Sequence, residues 1–177
     1  KLKLVVPCQN EKGKDELIYK ELLAYKFYES LSEIHLKTIP ISLKIIELKN
    51  GREIEHEMFA FLIEDDNKVA ERHEIKKFPK RRVSPLSVSD SSAINFALFS
   101  YMIGNTDWSM AYQHNTEMFF NGKKLVAVPY DFDHSGLVNA YYAKPNPMLK
   151  ISSVTERVYR GLCRRDPEVF SNLRKLY

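Results

Sequence analysis

Glycine is the first shortage. There are six in 177 residues, with no Gly-rich run to cradle a phosphate through its backbone and only Gly13 close behind the N-terminal segment. Cysteine is scarcer still: Cys8 and Cys163 stand far apart and form no C-x-x-C ligand pair, which argues against structural zinc and favours two buried thiols over one disulfide. No apolar stretch approaches the ~18 residues that cross a bilayer, and the N-terminus lacks a charged, apolar, small-residue leader pattern. The chain therefore reads as soluble with no membrane span. It opens without an initiator Met, and localisation stays open. Aromatic residues interleaved with basic ones are missing as well. Cations gather at Lys76, Lys77, Lys80, Arg81 and Arg82, and again at Arg157, Arg160, Arg164 and Arg165, within a net charge of +4. Without a base-stacking platform beside them, no nucleic-acid partner is expected.

What is present is enough apolar material for a core, 44% of the residues, in one domain or two small lobes. Residues 1–6 alternate as a strand, with Leu2, Leu4 and Val6 on one face and Lys1, Lys3 and Val5 on the other, which directs Lys3 toward a cleft. Residues 15–31 take helical spacing, placing Leu17, Ala24, Tyr28 and Leu31 on one stripe together with Glu21. A carboxylate inside an apolar stripe is costly unless a cation or donors meet it, and Lys3 is the expected partner. Residues 41–48 and 58–63 flank the turn Asn50-Gly51 as a hairpin, which Glu64, Asp65 and Asp66 end. Residues 69–92, basic, polar and proline-containing, are expected to form a mobile or inserted connection. A helix over 93–103 follows, capped by Ser89 or Asp90 and stopped by Gly104. Two more helices are expected at 154–162 and 167–176.

Chemistry concentrates between Gly104 and Gly136. Residues 118–120 and 125–128 flank Asn121-Gly122 as a second hairpin, so Asn115 and Asp131 fall at its two open ends, where they can converge on one metal ion. Phosphoryl transfer needs a hydroxyl-positioning base, hard oxygen ligands for magnesium and a cation on the phosphates. Asp107, in a loop after a helix, suits the base. Asn115 and Asp131 suit the metal, with Asp133 a second ligand or the replacement for Asp131, or else a turn cap. Lys3 held by Glu21 suits the phosphates. A Lys on a strand, a Glu on a helix, a base Asp, an Asn, a hairpin and a metal-binding Asp follow the order found in kinases. Asn105 would shape the loop, and Trp108 and Tyr130 would brace it by packing.

The run Gly104-Asn105-Thr106-Asp107, then His114-Asn115, then Pro129-Tyr130-Asp131, resembles the core of HipA-like serine kinases. Pro129-Tyr130-Asp131-Phe132-Asp133 is similar to the P-W-D-F-D run of CotH-like kinases. The resemblance is detailed over residues 98–137 and looser in residues 2–5, 20–21 and 61–65. It implies a two-lobed α+β kinase-like fold, with a partial N-lobe at 1–63 and a hinge and C-lobe at 64–177. It implies ATP and magnesium as cofactors, Ile63, Glu64 and Asp65 as the adenine-contacting hinge, and a protein Ser/Thr or small-molecule hydroxyl as acceptor. The step of eight residues from Asp107 to Asn115 is longer than the HipA-like one, and the strands of a Gly-rich loop are missing ahead of Lys3. Two other readings use the same residues. In one the chain is a pseudokinase or nucleotide-binding interaction module; in the other His114, Asp131, Asp133 and His134 ligate the metal of a hydrolase.

Overall fold

Asn50 and Gly51 both take left-handed backbone, φ 52° and 74°, and fold β2 (Thr38–Lys49) back onto β3 (Arg52–Ile63). In the computed structural model, which describes residues 2–7, 15–163 and 166–177, β1 (Lys3–Val5) pairs antiparallel with the far end of β3. The resulting sheet has the order β1-β3-β2. Alternation turns Phe59, Phe61 and Ile63 of β3 to one face, and the 17-residue helix α1 (Asp15–Leu31) covers it. Tyr19 stacks on Phe59 at 3.7 Å between ring centroids, and Tyr25 meets Phe61 edge-on at 5.6 Å.

After β3, Asp65 caps the short helix α2 (Asp66–Arg72), its carboxylate accepting the Asn67 N–H. A second antiparallel sheet, ordered β4-β5-β6, joins β4 (Lys76–Lys77), β5 (Thr116–Phe120) and β6 (Leu125–Pro129). Helix α3 (Asp90–Met102) starts at Ser89, whose hydroxyl accepts the Ser92 N–H, and lies on β6. Ser92 Oγ both accepts the Ala127 N–H at 2.9 Å and donates to the Ala127 carbonyl at 3.2 Å, fixing that docking. The described residues thus form a mixed α+β fold of four helices and two small sheets, completed by α4 (Pro167–Leu173). One core cluster runs from the first sheet into the second unit, through Phe61, Ile63, Tyr25, Tyr28, Phe99 and Phe132.

Several elements differ from the expectation. β3 begins six residues earlier than 58, because its outer half is held by cross-strand charges rather than apolar alternation: Lys44 to Glu55 at 2.7 Å and His56 to Glu47 at 3.0 Å. Much of 69–92 is ordered, as α2, β4 and a 3₁₀ turn at Pro85–Ser87. Residues 154–162 are not helical. Their arginines reach out instead, Arg157 Nε donating to the Met102 carbonyl at 3.0 Å and Arg160 to loop carbonyls, which holds this stretch against the end of α3. α4 stops at Leu173, short of 176. Cys163 is exposed, not buried, while Cys8, Gly13, Arg164 and Arg165 lie outside the described residues.

Gly104 ends α3 in left-handed backbone, φ 67°, and its carbonyl accepts the Gly136 N–H at 3.1 Å. Gly136 in turn lies against residue 154: a β-carbon there would sit 2.7 Å from the Val154 carbonyl oxygen, a backbone atom with no rotamer to retreat into. Gly136→Ala is therefore expected to lower stability by ~1–3 kcal/mol, the usual cost of forcing a methyl into packed structure. Urea unfolding with an unchanged slope checks this, and an unaltered midpoint would mean that the two segments separate freely.

Candidate active site

The turn after α3 is built around Asn105, which is 2% exposed. Its Oδ1 accepts the Asp107 N–H at 2.9 Å and its carbonyl accepts Trp108 Nε1–H at 3.1 Å, so one side chain and one peptide set the loop's curvature. Asp107 then projects with both carboxylate oxygens engaged. His114 Nε2 lies 2.9 Å from Oδ1, and Asn115 Nδ2 donates to Oδ2 at 3.1 Å and to the Asp107 carbonyl at 2.8 Å.

The six residues between Asp107 and His114 are tied down from outside. Gln113, 3% exposed, donates from Nε2 to the carbonyls of Pro79 at 3.0 Å and Arg81 at 2.8 Å. Lys80 Nζ donates to the carbonyls of Gln113 at 3.0 Å and Thr116 at 3.2 Å, and lies 3.5 Å from the Glu117 carboxylate. From the C-terminal side, Arg160 Nη1 donates to the carbonyls of Thr106 at 2.5 Å and Trp108 at 2.9 Å, with its guanidinium 5.0 Å from the Trp108 ring centroid. Lys80, Gln113 and Arg160 had no assigned role in the sequence reading. Each acts over more than thirty residues through a side chain bonded to peptide carbonyls, which leaves no local periodicity to detect.

β5 and β6 pair Thr116 with Pro129, and the ladder closes with the Tyr130 N–H donating to the Asn115 carbonyl at 3.2 Å. Asn115 and Asp131 therefore flank the hairpin's open end. Both have left-handed backbone, φ 47° and 63°, a conformation that Asn and Asp tolerate better than most side chains. The Tyr25 hydroxyl of α1 accepts the Asp131 N–H at 3.0 Å. Asp131 opens onto cleft water with protein on its other sides. That partial burial, followed by the charge and hydrogen bond of Asp133 and the charge of Asp107, raises it to about 6, against a smaller opposing pull from His134.

Glu21 is 5% exposed, as its place in the stripe implies. Burial, then the charges of Asp131 and Asp133, push it up to about 8, and only a hydrogen bond from the Phe132 backbone acts the other way. Lys3, Glu21, Ile63, Asp131, Asp133 and Tyr142 share the wall of one cleft of about 360 Å³.

The expected ion pair between Lys3 and Glu21 is not formed. Lys3 stays exposed, with Nζ 5.1 Å from the Tyr130 ring centroid. At a nearly closed site it would surrender its hydration for a carboxyl group that is mostly protonated at neutral pH, whereas the ring face leaves it wet. Of the expected hinge, Ile63 lines the cleft. Glu64 instead pairs with Arg72 at 2.9 Å and accepts the Lys37 N–H, and Asp65 is used as the cap of α2. The two histidines serve different carboxylates, His114 that of Asp107 and His134 that of Asp133 at 3.8 Å. Among the described residues, no three His, Cys, Asp or Glu side chains are grouped to hold a metal by themselves. Compared with family models, with curated proteins and with solved structures, the chain matches none.

The raised Glu21 has a consequence for stability. Folded protein keeps a proton that the unfolded chain releases near 4.5, so the contribution of neutral Glu21 is complete below that value and is lost as pH rises through about 8. Glu21→Gln, which is neutral throughout, is expected to remove the decline that Glu21 contributes across that window and to be the more stable protein at its upper end. Thermal midpoints measured at steps across the window check this; parallel curves for the two proteins would mean that Glu21 ionises freely in the fold.

Proposed function

We propose that the chain binds a magnesium–nucleoside triphosphate in the cleft beside Lys3, Glu21 and Asp131 and transfers its terminal phosphoryl group to a hydroxyl, with Asp107 as the base. The observation that carries this reading is a single bonded unit. Asp107 is held on one oxygen by His114 and on the other by Asn115, and the Asn115 carbonyl is bonded to the peptide that leads into Asp131. A base and two oxygen ligands are thereby set in fixed relation, which is most of what phosphoryl transfer asks of a protein. The element order supports the same reading: a Lys-bearing strand, a Glu-bearing helix, a hairpin, a link, a helix, a loop with Asp and Asn, a hairpin and an Asp. On this proposal the architecture is two-lobed and kinase-like, with residues 1–63 and 64–177 on either side of the cleft, as the resemblance to HipA-like and CotH-like kinases implies.

The residues fit magnesium bound jointly with phosphates, an ion usually held by one or two carboxylates and completed by phosphate and water oxygens. Asp131 and Asp133 repel one another strongly enough to raise Asp131, a strain that a cation relieves, and Asn115 Oδ1 takes no part in the bonds to Asp107. Bound there, magnesium would neutralise phosphate charge. Asp107 accepts the proton of the acceptor hydroxyl as its oxygen bonds to the γ-phosphorus, and the bond to the β–γ bridging oxygen breaks to release the diphosphate. His114 and Asn115 keep the carboxylate aimed. Lys3, free of Glu21, is in reach of the cleft to meet phosphate oxygens. The acceptor class follows the resemblance, a protein serine or threonine, or else a small-molecule hydroxyl.

The unpaired Lys3 and the protonated Glu21 favour one alternative, a module that binds nucleotide and transfers nothing. Paired substitutions separate the two. Asp107→Asn is expected to keep Mg-ATP affinity while lowering turnover on the order of 10²- to 10⁴-fold, and Asp131→Asn, tolerated by the left-handed backbone, to weaken Mg-ATP binding itself. Calorimetry with Mg-ATP and transfer from labelled ATP to generic protein acceptors read both. Wild-type binding without transfer leaves the non-catalytic module, and undiminished transfer by Asp107→Asn removes Asp107 as base.

A further inference from the structure

Lys80 of the basic run at 76–82 braces the Asp107 loop, but the end of that run, Arg81 and Arg82, has no part in the chemistry above. It forms one wall of a groove of about 560 Å³ on the second sheet, whose other wall is the β5–β6 turn. Arg81 and Arg82 face Lys123 and Lys124 across it, over a floor that includes Val83, Phe120 and Leu125. None of the four cations is within ion-pair distance of a described carboxylate, as the ion pairs of the described residues show. Four uncompensated positive charges over an apolar floor select an anionic chain that also carries apolar side chains.

Two features favour a protein over a nucleic acid. The Arg81 guanidinium sits 4.5 Å from the Phe78 ring centroid and Arg82 5.2 Å from that of Tyr112, so of the groove's rings Phe120 alone, 38% exposed, carries no cation. Bases would find no run of free rings to stack on. The floor residues Val83 and Leu125 give apolar side chains of a peptide a place to settle.

The groove is also joined to the loop that carries Asp107. The Val83 N–H donates to the Ala111 carbonyl at 3.0 Å, Gln113 grips the carbonyls of Pro79 and Arg81, and Arg82 lies on Tyr112. Ala111 is four residues from Asp107, so their α-carbons are within about 15 Å by any path of the chain. About five extended residues of a bound peptide span that distance. The residues lengthening the step from Asp107 to Asn115 are those bonded to the groove wall. We infer that the groove docks an acidic segment of a protein acceptor, a few extended residues from the hydroxyl that Asp107 serves. The inference rests on the phosphotransfer reading for its purpose, but not for the binding itself.

The test uses Lys123→Glu/Lys124→Glu. These residues sit in a turn whose backbone N–H groups are held by Asn121 Oδ1 at 3.1 and 3.0 Å, so the side chains can change while the turn stays. Fluorescence anisotropy with a short peptide of alternating Glu and Leu is expected to show binding that weakens with salt, and no binding of the matching Gln–Leu peptide. The double variant is expected to weaken the Glu–Leu peptide about tenfold or more, with thermal midpoint and Mg-ATP affinity as controls for the fold. In phosphotransfer to a serine placed beyond the Glu–Leu run, the variant is expected to raise KM and hold kcat. Wild type that binds the acidic peptide but transfers nothing keeps the groove and removes the kinase reading. Transfer that ignores both acidity and the double variant does the reverse. Equal binding of both peptides, or single-stranded RNA displacing the acidic peptide at lower concentration, overturns the inference, the latter in favour of a nucleic-acid surface.

Discussion

Phe132 has no exposed surface and is wedged between Tyr25 at 4.7 Å and Phe99 at 5.6 Å, each meeting its ring edge-on. One of these partners belongs to the helix that covers the first sheet and the other to the helix that lies on the second, so the junction of the two units passes through this ring. The residues on either side of it, Asp131 and Asp133, have no choice of place once the ring is buried. The hydroxyl of Tyr25 finishes the restraint by holding the Asp131 N–H. Burial of a large aromatic side chain contributes on the order of 2–3 kcal/mol, enough to keep two mutually repelling carboxylates together at the mouth of the cleft.

Charge is distributed unevenly around that anchor. The carboxylate of Asp107 is met by the His114 ring and the Asn115 amide on a loop braced from Lys80 and Arg160, while Glu21, Asp131 and Asp133 share the cleft wall with Lys3, which pairs with none of them. Lys3 and Lys80 instead approach the Tyr130 ring, at 5.1 and 5.2 Å. Burial is the first cause of both raised carboxyls, Glu21 and Asp131, and the charge of Asp133 adds to each.

Much of this was legible in the residues. Glu21 falls in an apolar stripe, Gly104 suits a helix stop, and Asn50-Gly51 and Asn121-Gly122 suit hairpin turns, because each is a local pattern with a favoured conformation. The hairpin in turn set Asn115 opposite Tyr130, the residue before Asp131. What escaped were interactions without a period: Lys80 and Arg160 reaching peptide carbonyls, and residues 154–162 giving up helix so that two arginines hold the end of α3 and the loop after it. The pairing of Lys3 with Glu21 follows from the apolar stripe around Glu21 and the strand face that Lys3 takes, and neither measures solvation. The comparison that decides its place is between solvation in a nearly closed site and solvation over a ring, and that requires knowing how tightly the site closes.

The left-handed backbone at Asn115 and Asp131 restricts which amino acids can stand there before any ligand is considered. Glycine, asparagine and aspartate enter that region readily; glutamate, glutamine and serine do so at a cost. Of those three, two carry a short side chain ending in oxygen, and the third carries nothing. The residues favoured at both positions are therefore few, although Glu74 and Gln113 take the same backbone elsewhere in the chain, and a drift that preserved the turn at least cost would either keep a short oxygen-bearing side chain or remove it.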